Sequence, residues 1–352
     1  MKKLLLSLTL LGGLFVSNAQ TIQSDDFNGL TIGNIGTDLT GTTAGQGSWL
    51  TFSNNGTDPT TTTNSASSNF QIIAAGNNAT KGLQIVGPNG NKGVRYMWKD
   101  GLPTAWAART AGNEIIEVEV DFFTGATTTS TGFTGVYLYD PTFEIINGLI
   151  YTNNTRLLRG VAKLNNAGTV DTYTVNLATG GLILQANTWY RIGFGYNTTT
   201  GQPTWRVNTM TDTATIANTF WAGGADLADP GELDLASEAN TTNAASFSGV
   251  FDNFVMRASA TDTLLGVNDL SVSNDTFVVY PNPVDNVVNI SLMSNTFDVE
   301  INKVRISDVN GRTVKEFNSN LNQLNIADLN SGVYFLNIET ANGKATKKIV
   351  KQ

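Results

Sequence analysis

The residues with the clearest capacity for chemistry lie in Glu117-Val118-Glu119-Val120-Asp121-Phe122-Phe123, where three acids alternate with apolar side chains. Successive side chains of a β-strand point to opposite faces, so Glu117, Glu119 and Asp121 share one face while Val118, Val120 and Phe122 enter a core from the other. Paired carboxylates can act as general acid and base in hydrolysis, but only when opposed across a cleft at about 5 to 9 Å. One strand does not supply that cleft. The solvated face of an outer strand accounts for the same acids, so the pattern is read as structural, and Glu117, Glu119 and Asp121 are what a polysaccharide hydrolase or lyase would have to use.

The 352 residues include no Cys and no His. That removes disulfides, thiol nucleophiles, Ser-His-Asp triads and imidazole-based zinc sites. Oxygen ligands remain. Asp25 and Asp26 precede Phe27, and Asp252 and Asn253 precede Phe254; oxygen-only ligands suit calcium. The same residues serve equally as turn formers, and calcium held by Asp25 and Asp252 would be structural, so no cofactor is required. Aromatic ring faces can stack on sugars. Trp98 and Trp106 flank the turn-like Lys99-Asp100-Gly101-Leu102-Pro103, and Trp221 precedes Ala222-Gly223-Gly224. These three tryptophans are expected at the surface as ligand-binding candidates, whereas Trp189 and Trp205 sit in strand-like runs and are expected in the core.

The elements that must position these residues are strands. Between Thr21 and Arg257 no useful helical periodicity occurs, and short runs such as Gly82–Val86, Glu114–Phe123, Gly135–Tyr139, Leu157–Leu164, Trp189–Tyr196 and Gly249–Met256 read as strands separated by Gly, Asn and Thr turns. Ten or more at this spacing predict a large antiparallel two-sheet sandwich. Thr57–Ser68 reads as an exposed loop, and the small polar residues of 258–278 as a linker. The net charge of −8 and pI near 4.6 leave no basic stripe for a nucleic-acid partner.

The C-terminal stretch forms a second unit. Pro281 and Pro283 in Tyr280-Pro281-Asn282-Pro283 fix φ and remove two donors, which suits an extended or turn segment. Alternation then resumes around Val288-Asn289-Ile290, Val304-Arg305-Ile306 and Tyr334–Ile338, with Asn310-Gly311 and Asn342-Gly343 as hairpin turns. These features predict a small immunoglobulin-like β-sandwich over 279–352. At the other end, Met1-Lys2-Lys3 and the apolar Leu4–Val16 form a signal peptide over 1–19, cleaved between Ala19 and Gln20. No other run is long and apolar enough to be a transmembrane segment.

Four stretches in register, Tyr280-Pro281-Asn282-Pro283, the Ile306–Val314 run with Gly311, the Leu329–Leu336 run with Gly332, and the terminal Lys347-Lys348-Ile349-Val350-Lys351-Gln352, resemble the type A sorting domain of the type IX secretion system of Bacteroidota. The resemblance implies that the secretion machinery is a partner, that the chain crosses the outer membrane after Sec export, and that the domain is normally removed as the cargo is released or anchored at the surface. Residues 20–257 resemble a concanavalin A-like or laminin-G-like jelly roll through Asp25–Leu30, Glu117–Phe123, Asn187–Tyr196 and Phe251–Met256. That fold would set its first and last strands side by side and bring Phe27 and Phe254 into one core. Some glycoside hydrolases of this fold carry E-x-D-x-x-E, which Glu117-x-Glu119-x-Asp121 does not match. Asp212-Thr213-Ala214 and Asp262-Thr263-Leu264 resemble O-glycosylation motifs of exported Bacteroidota proteins. The resulting expectation is a secreted or surface-displayed, non-catalytic module that binds an extracellular glycan, with adhesion through protein contacts and polysaccharide cleavage as the alternatives.

Overall fold

A computed structural model describes residues 19–55, 65–265, 277–292, 301–309, 311–340 and 343–352. The expected signal peptide up to residue 18, most of the Thr57–Ser68 loop, the 266–276 part of the linker, Asn310 and Asn342 lie outside the described residues. The chain divides into two compact units, Met1–Leu264 and Leu265–Gln352.

In the first unit, β1 (Gln20–Asp25), β2 (Gly33–Asn34), β3 (Trp49–Asn54), β4 (Phe70–Ile73), β5 (Gly82–Val86) and β6 (Val94–Lys99) precede a short helix, α1 (Leu102–Ala107). Then come β7 (Ile115–Phe123), β8 (Phe133–Tyr139), β9 (Ile145–Thr152), β10 (Leu157–Asn166), β11 (Thr169–Asn176), β12 (Leu182–Ile183), β13 (Trp189–Asn197), β14 (Pro203–Val207), β15 (Ala214–Thr215), β16 (Glu232–Glu238) and β17 (Ser248–Ser259). The first sheet runs β15-β14-β13-β7-β17-β5-β4-β2, with β1 also on β17; the second runs β11-β10-β9-β8-β16-β6-β3, with β12 on β10. Pairing is antiparallel. The unit is a two-sheet jelly-roll sandwich.

Its first and last strands pair as expected, Asp25 opposite Phe254. Phe27 and Phe254 pack on Trp49, with ring centroids 5.9 and 5.8 Å away. β17 pairs with β5 through Ser248–Phe251 and with β1 through Phe254–Ala258, and the register shifts between them at Asp252 and Asn253, where Asn253 takes φ +46°. Such a bulge reaims side chains locally. Val118, Val120 and Phe122 meet Val136, Leu138, Leu233 and Leu235 in one buried core. Two hydrogen bonds cross that core: Trp205 Nε1 donates to the Gly148 carbonyl at 2.8 Å and Asn147 Nδ2 to the Gly195 carbonyl at 2.6 Å. The one α-helix among the described residues, α1, was not anticipated; Pro103 in its first turn tolerates a missing donor, and its six residues are too few to show periodicity. No helix among the described residues is long and apolar enough to cross a membrane.

In the second unit, β18 (Phe277–Tyr280), β19 (Val287–Leu292), β20 (Ile301–Asp308), β21 (Thr313–Phe317), β22 (Gln323–Asn325), β23 (Gly332–Thr340) and β24 (Gly343–Lys351) form sheets β18-β19-β22 and β21-β20-β23-β24. Phe277, Val288, Ile290, Val304, Ile306 and Ile349 bury one core in a small immunoglobulin-like sandwich. In the β20–β21 turn Asp308 bonds Arg312, and Gly311 supplies φ +79°.

The cross-core indole of Trp205 depends on the absence of a side chain at Gly160, where a Cβ would stand 2.5 Å from the ring. Gly160→Ala is therefore expected to cost about 1–3 kcal/mol in urea unfolding of residues 20–264, as overpacking does.

Candidate functional site

Glu117, Glu119 and Asp121 do share a face, but that face is not solvated. They are 0%, 1% and 8% exposed, and β7 lies between β13 and β17 rather than at an edge. The reading of an outer strand in water is corrected on this point. Guanidinium groups from both neighbouring strands cover the carboxylates. Arg191 bonds Glu119 and Asp121, each at 3.2 Å, and Arg257 bonds Glu119. Ser259–Leu264 then folds back over the same face. The Ser259 hydroxyl donates to Glu117 at 2.7 Å, and the Thr263 N–H and hydroxyl donate to the same carboxylate. Gly193 makes room, because a Cβ there would stand 2.9 Å from both Glu119 and Leu264. Thr263 is thus engaged in the fold, which does not suit it to carry a sugar. Burial raises Glu117 above the usual carboxylate range, opposed by its Thr263 and Ser259 bonds and by Arg257. This arrangement holds the sheet together; paired acids with every oxygen in protein bonds are poorly placed to take a substrate.

Asp25 and Asp252 behave as anchors. Asp25 accepts the Phe27 N–H and, at 2.8 Å each, Trp49 Nε1 and Lys99 Nζ. Asp252, at the β17 bulge, accepts the N–H groups of Asn77 and Asn253 and the Thr80 hydroxyl. Calcium at either carboxylate would have to displace these donors, Lys99 among them. Asp26 accepts only the Asn28 N–H at 3.0 Å, a turn bond within its own loop.

The tryptophans divide differently from expectation. Trp106 is 2% exposed inside α1 and donates to Asp229 at 3.2 Å, so its placement at the surface is corrected: the segment after Trp98 is a helix whose buried face carries it. Trp221 is half-buried and donates to the Ile216 carbonyl. Trp98 is half-buried at the outer face of the second sheet. Trp205 lies in the core, whereas Trp189 is half-buried against Phe123.

The outer face of the second sheet holds the constellation that the sequence reading missed. In Glu232-Leu233-Asp234-Leu235-Ala236-Ser237-Glu238 the leucines enter the core, so Glu232, Asp234, Ala236 and Glu238 point outward. Across the ladder Glu232 faces Tyr139, Asp234 faces Tyr137, and Ala236 faces Tyr96. Tyr137 lies flat over its own strand because position 135 is glycine: a Cβ there would be 2.2 Å from the ring. It thereby reaches Glu238, donating at 3.2 Å, while Tyr96 donates to the other Glu238 oxygen. Phe52 stacks on Tyr96 at 6.3 Å, and Phe143 packs at 5.9 Å from Tyr139 with 66% of its surface exposed. Burial pushes Glu232 up to about 7, moderated by a bond to Asp234; Asp234 is driven well above its ordinary value by burial and then by Glu232. Burial also raises Glu238, against its two tyrosine bonds. Alternating acids at 232, 234 and 238 were the available signal, one residue longer than E-x-D-x-x-E, but two leucines alone made a weak strand pattern.

Part of the sorting set lies close together, while Gly311 sits apart in the β20–β21 turn. Pro281, Asn282 and Pro283 are exposed beside the end of β24, where Lys348 is exposed too, and Tyr280 leaves 49% of its surface free. Gly332 opens β23, opposite Lys351.

Two outcomes follow from the acids. Thr263→Val removes the hydroxyl that supports buried Glu117 and is expected to cost about 1.5–3 kcal/mol by urea titration, with a chain ending at Arg257 less stable still. Burial also lifts Asp252 to about 6, its Thr80, Asn253 and Asn77 bonds opposing and Asp121 adding to the rise. Since Asp252 and Glu232 hold protons in the folded state that the unfolded chain releases near pH 4, stability should rise as pH falls from about 8 to 5. Melting temperatures across that range test this, and Glu232→Gln with Asp252→Asn should flatten the slope.

Among known proteins, the family described as a secretion system C-terminal sorting domain matches residues 278–352. No curated protein sequence matches the chain. Among solved structures, β-agarase A from Zobellia galactanivorans is 11% identical with a TM-score of 0.42, over 68% of this chain and 91% of that one. The cellulose-induced protein Cip1 is 11% identical with a TM-score of 0.37, over 55% and 85%. The binding domain of botulinum neurotoxin DC is 10% identical with a TM-score of 0.39, over 88% and 72%. Residues 278–352 are a type IX secretion sorting domain, and the chain that carries them is exported to the cell surface or the extracellular space.

Proposed function

We propose that residues 20–264 form a non-catalytic glycan-binding module whose ligand face is the outer face of the second sheet. The observation that carries this reading is the continuous set of Phe52, Tyr96, Trp98 and Tyr139 around the carboxyls of Glu232, Asp234 and Glu238. Ring faces supply stacking, and a carboxyl that keeps its proton near neutral pH both donates and accepts, as sugar hydroxyls require. Glu232 and Trp98 are half-exposed and reachable. Asp234 is 3% exposed, and both oxygens of Glu238 are engaged by tyrosines, which favours a fixed floor over a reacting pair. A signal peptide cleaved after Ala19 would deliver this module to the periplasm ahead of type IX export.

A second reading, polysaccharide hydrolysis, is favoured by one feature: Glu232 near 7 beside Asp234 resembles a tuned general acid. One experiment addresses both. Purified residues 20–264 are passed over a panel of glycans with and without calcium, and released product is read in the same wells. Retention without cleavage is expected, with Trp98→Ala weakening it roughly tenfold and Trp106→Phe leaving it unchanged. Cleavage abolished by Glu232→Gln would establish the hydrolase instead. Loss of retention on removing calcium would restore Asp25 and Asp252 as ligands, and no retention on any glycan would overturn the module reading.

A further inference from the structure

Pro281 and Pro283 cannot donate backbone hydrogen bonds, yet the segment between them lies against the terminal strand and is bonded to it. The Asn282 side chain makes the connection. Its Nδ2 donates to the Lys348 carbonyl at 2.9 Å, and its Oδ1 accepts the Val350 N–H at 2.9 Å. An Asn amide carries one acceptor and a donor pair, so it reproduces the peptide group that a neighbouring strand would have offered. Val284 continues the contact, donating to the Val350 carbonyl at 2.8 Å and accepting the Gln352 N–H at 3.0 Å. The other edge of β24 is paired with β23 along Gly343–Lys351. β18 and β24 belong to different sheets, so Asn282 and Val284 tie the opening of the domain in one sheet to its final strand in the other.

We infer that Asn282 is the positioning residue of the export signal: it staples Tyr280-Pro281-Asn282-Pro283 to Lys348–Gln352, and the secretion machinery reads the two as one folded surface rather than as two linear motifs. Tyr280, the two prolines and Lys348 expose side chains on that surface. Val284 is fully buried and keeps the strand docked when the staple is removed, which separates positioning from folding.

The test uses the full chain in a bacterium that carries the type IX system, reading the fraction outside the cell, together with amide exchange and thermal unfolding of the purified protein. Asn282→Ala is expected to fold, to speed exchange at the Val350 amide roughly tenfold, and to cut export at least about tenfold. Asn282→Asp keeps the acceptor for Val350 but loses the donor to Lys348, and should be exported at an intermediate level. Asn289→Ala, which loses a bond of 3.2 Å to the Tyr280 carbonyl away from β24, serves as the control and should be exported normally. Wild-type export of Asn282→Ala with a fast-exchanging Val350 amide would overturn the inference. So would export that falls in Asn282→Ala and Asn289→Ala in proportion to their loss of melting temperature. Should Asn282→Ala fail to fold, Asn282→Asp decides: a folded protein with unchanged export rejects the staple, and a folded protein with reduced export supports it.

Discussion

The first unit depends on a cluster of charges that water scarcely reaches. Glu117, Glu119 and Asp121 project from the centre of a sheet, and Arg191 and Arg257 stand on the strands at either side. Buried ions are tolerable only when each is paired and hydrogen-bonded, so the strand partners, the register and the returning Ser259–Leu264 segment are all constrained together. A register slip of one residue on β7 would send three acids into the hydrophobic core. With Asp252 nearby, the acids outnumber the arginines, and the excess is met by hydroxyl and amide donors from Ser259, Thr263, Thr80 and Asn77. No disulfide assists, so specificity in this cysteine-free chain rests on polar satisfaction and on core packing.

How much could be read beforehand varied with the physics involved. Strands buried on one face by Val, Ile and Phe, such as β7, β13 and β17, declare themselves by alternation, whereas the adjacency of Phe27 and Phe254 follows only from the jelly-roll resemblance. What covers the opposite face does not show in the pattern of one strand. Glu117 looks the same in sequence whether water or Thr263 satisfies it. Trp106 reads as a surface residue in sequence because a helix of six residues is too brief to imprint a period, and Gly101-Leu102-Pro103 reads first as a turn. The Glu232–Glu238 strand does not stand out in sequence because its significance comes from Tyr96, Tyr137 and Tyr139 on β6 and β8, far away in sequence. Short motifs of the sorting domain were legible as motifs, but that Asn282 holds the last strand is a fact of geometry.

The two outer faces of the sandwich carry the same acidic residue type under opposite conditions. On the first sheet, arginines neutralise the carboxylates. On the second, tyrosine hydroxyls and a neighbouring carboxyl surround them, and burial raises them above the ordinary carboxylate range. Glycines make both arrangements possible. Gly193 admits Leu264 to one face, and Gly135 lets Tyr137 lie down on the other. The same backbone permissiveness therefore closes one face and furnishes the other with flat rings.

The fold-back of Ser259–Leu264 also has a mechanical meaning. Everything C-terminal to Leu264 is tethered to the sandwich through this segment, so tension on the tail loads the Thr263–Glu117 bonds and the buried Leu264 side chain before it reaches β17. β17 itself is flanked by β7 on one side and by β5 and β1 on the other. Along the chain, the bonds of Thr263 to Glu117 thus stand between the tail and the sheet, so the contacts that cover the buried acids are also the first in line to bear a load.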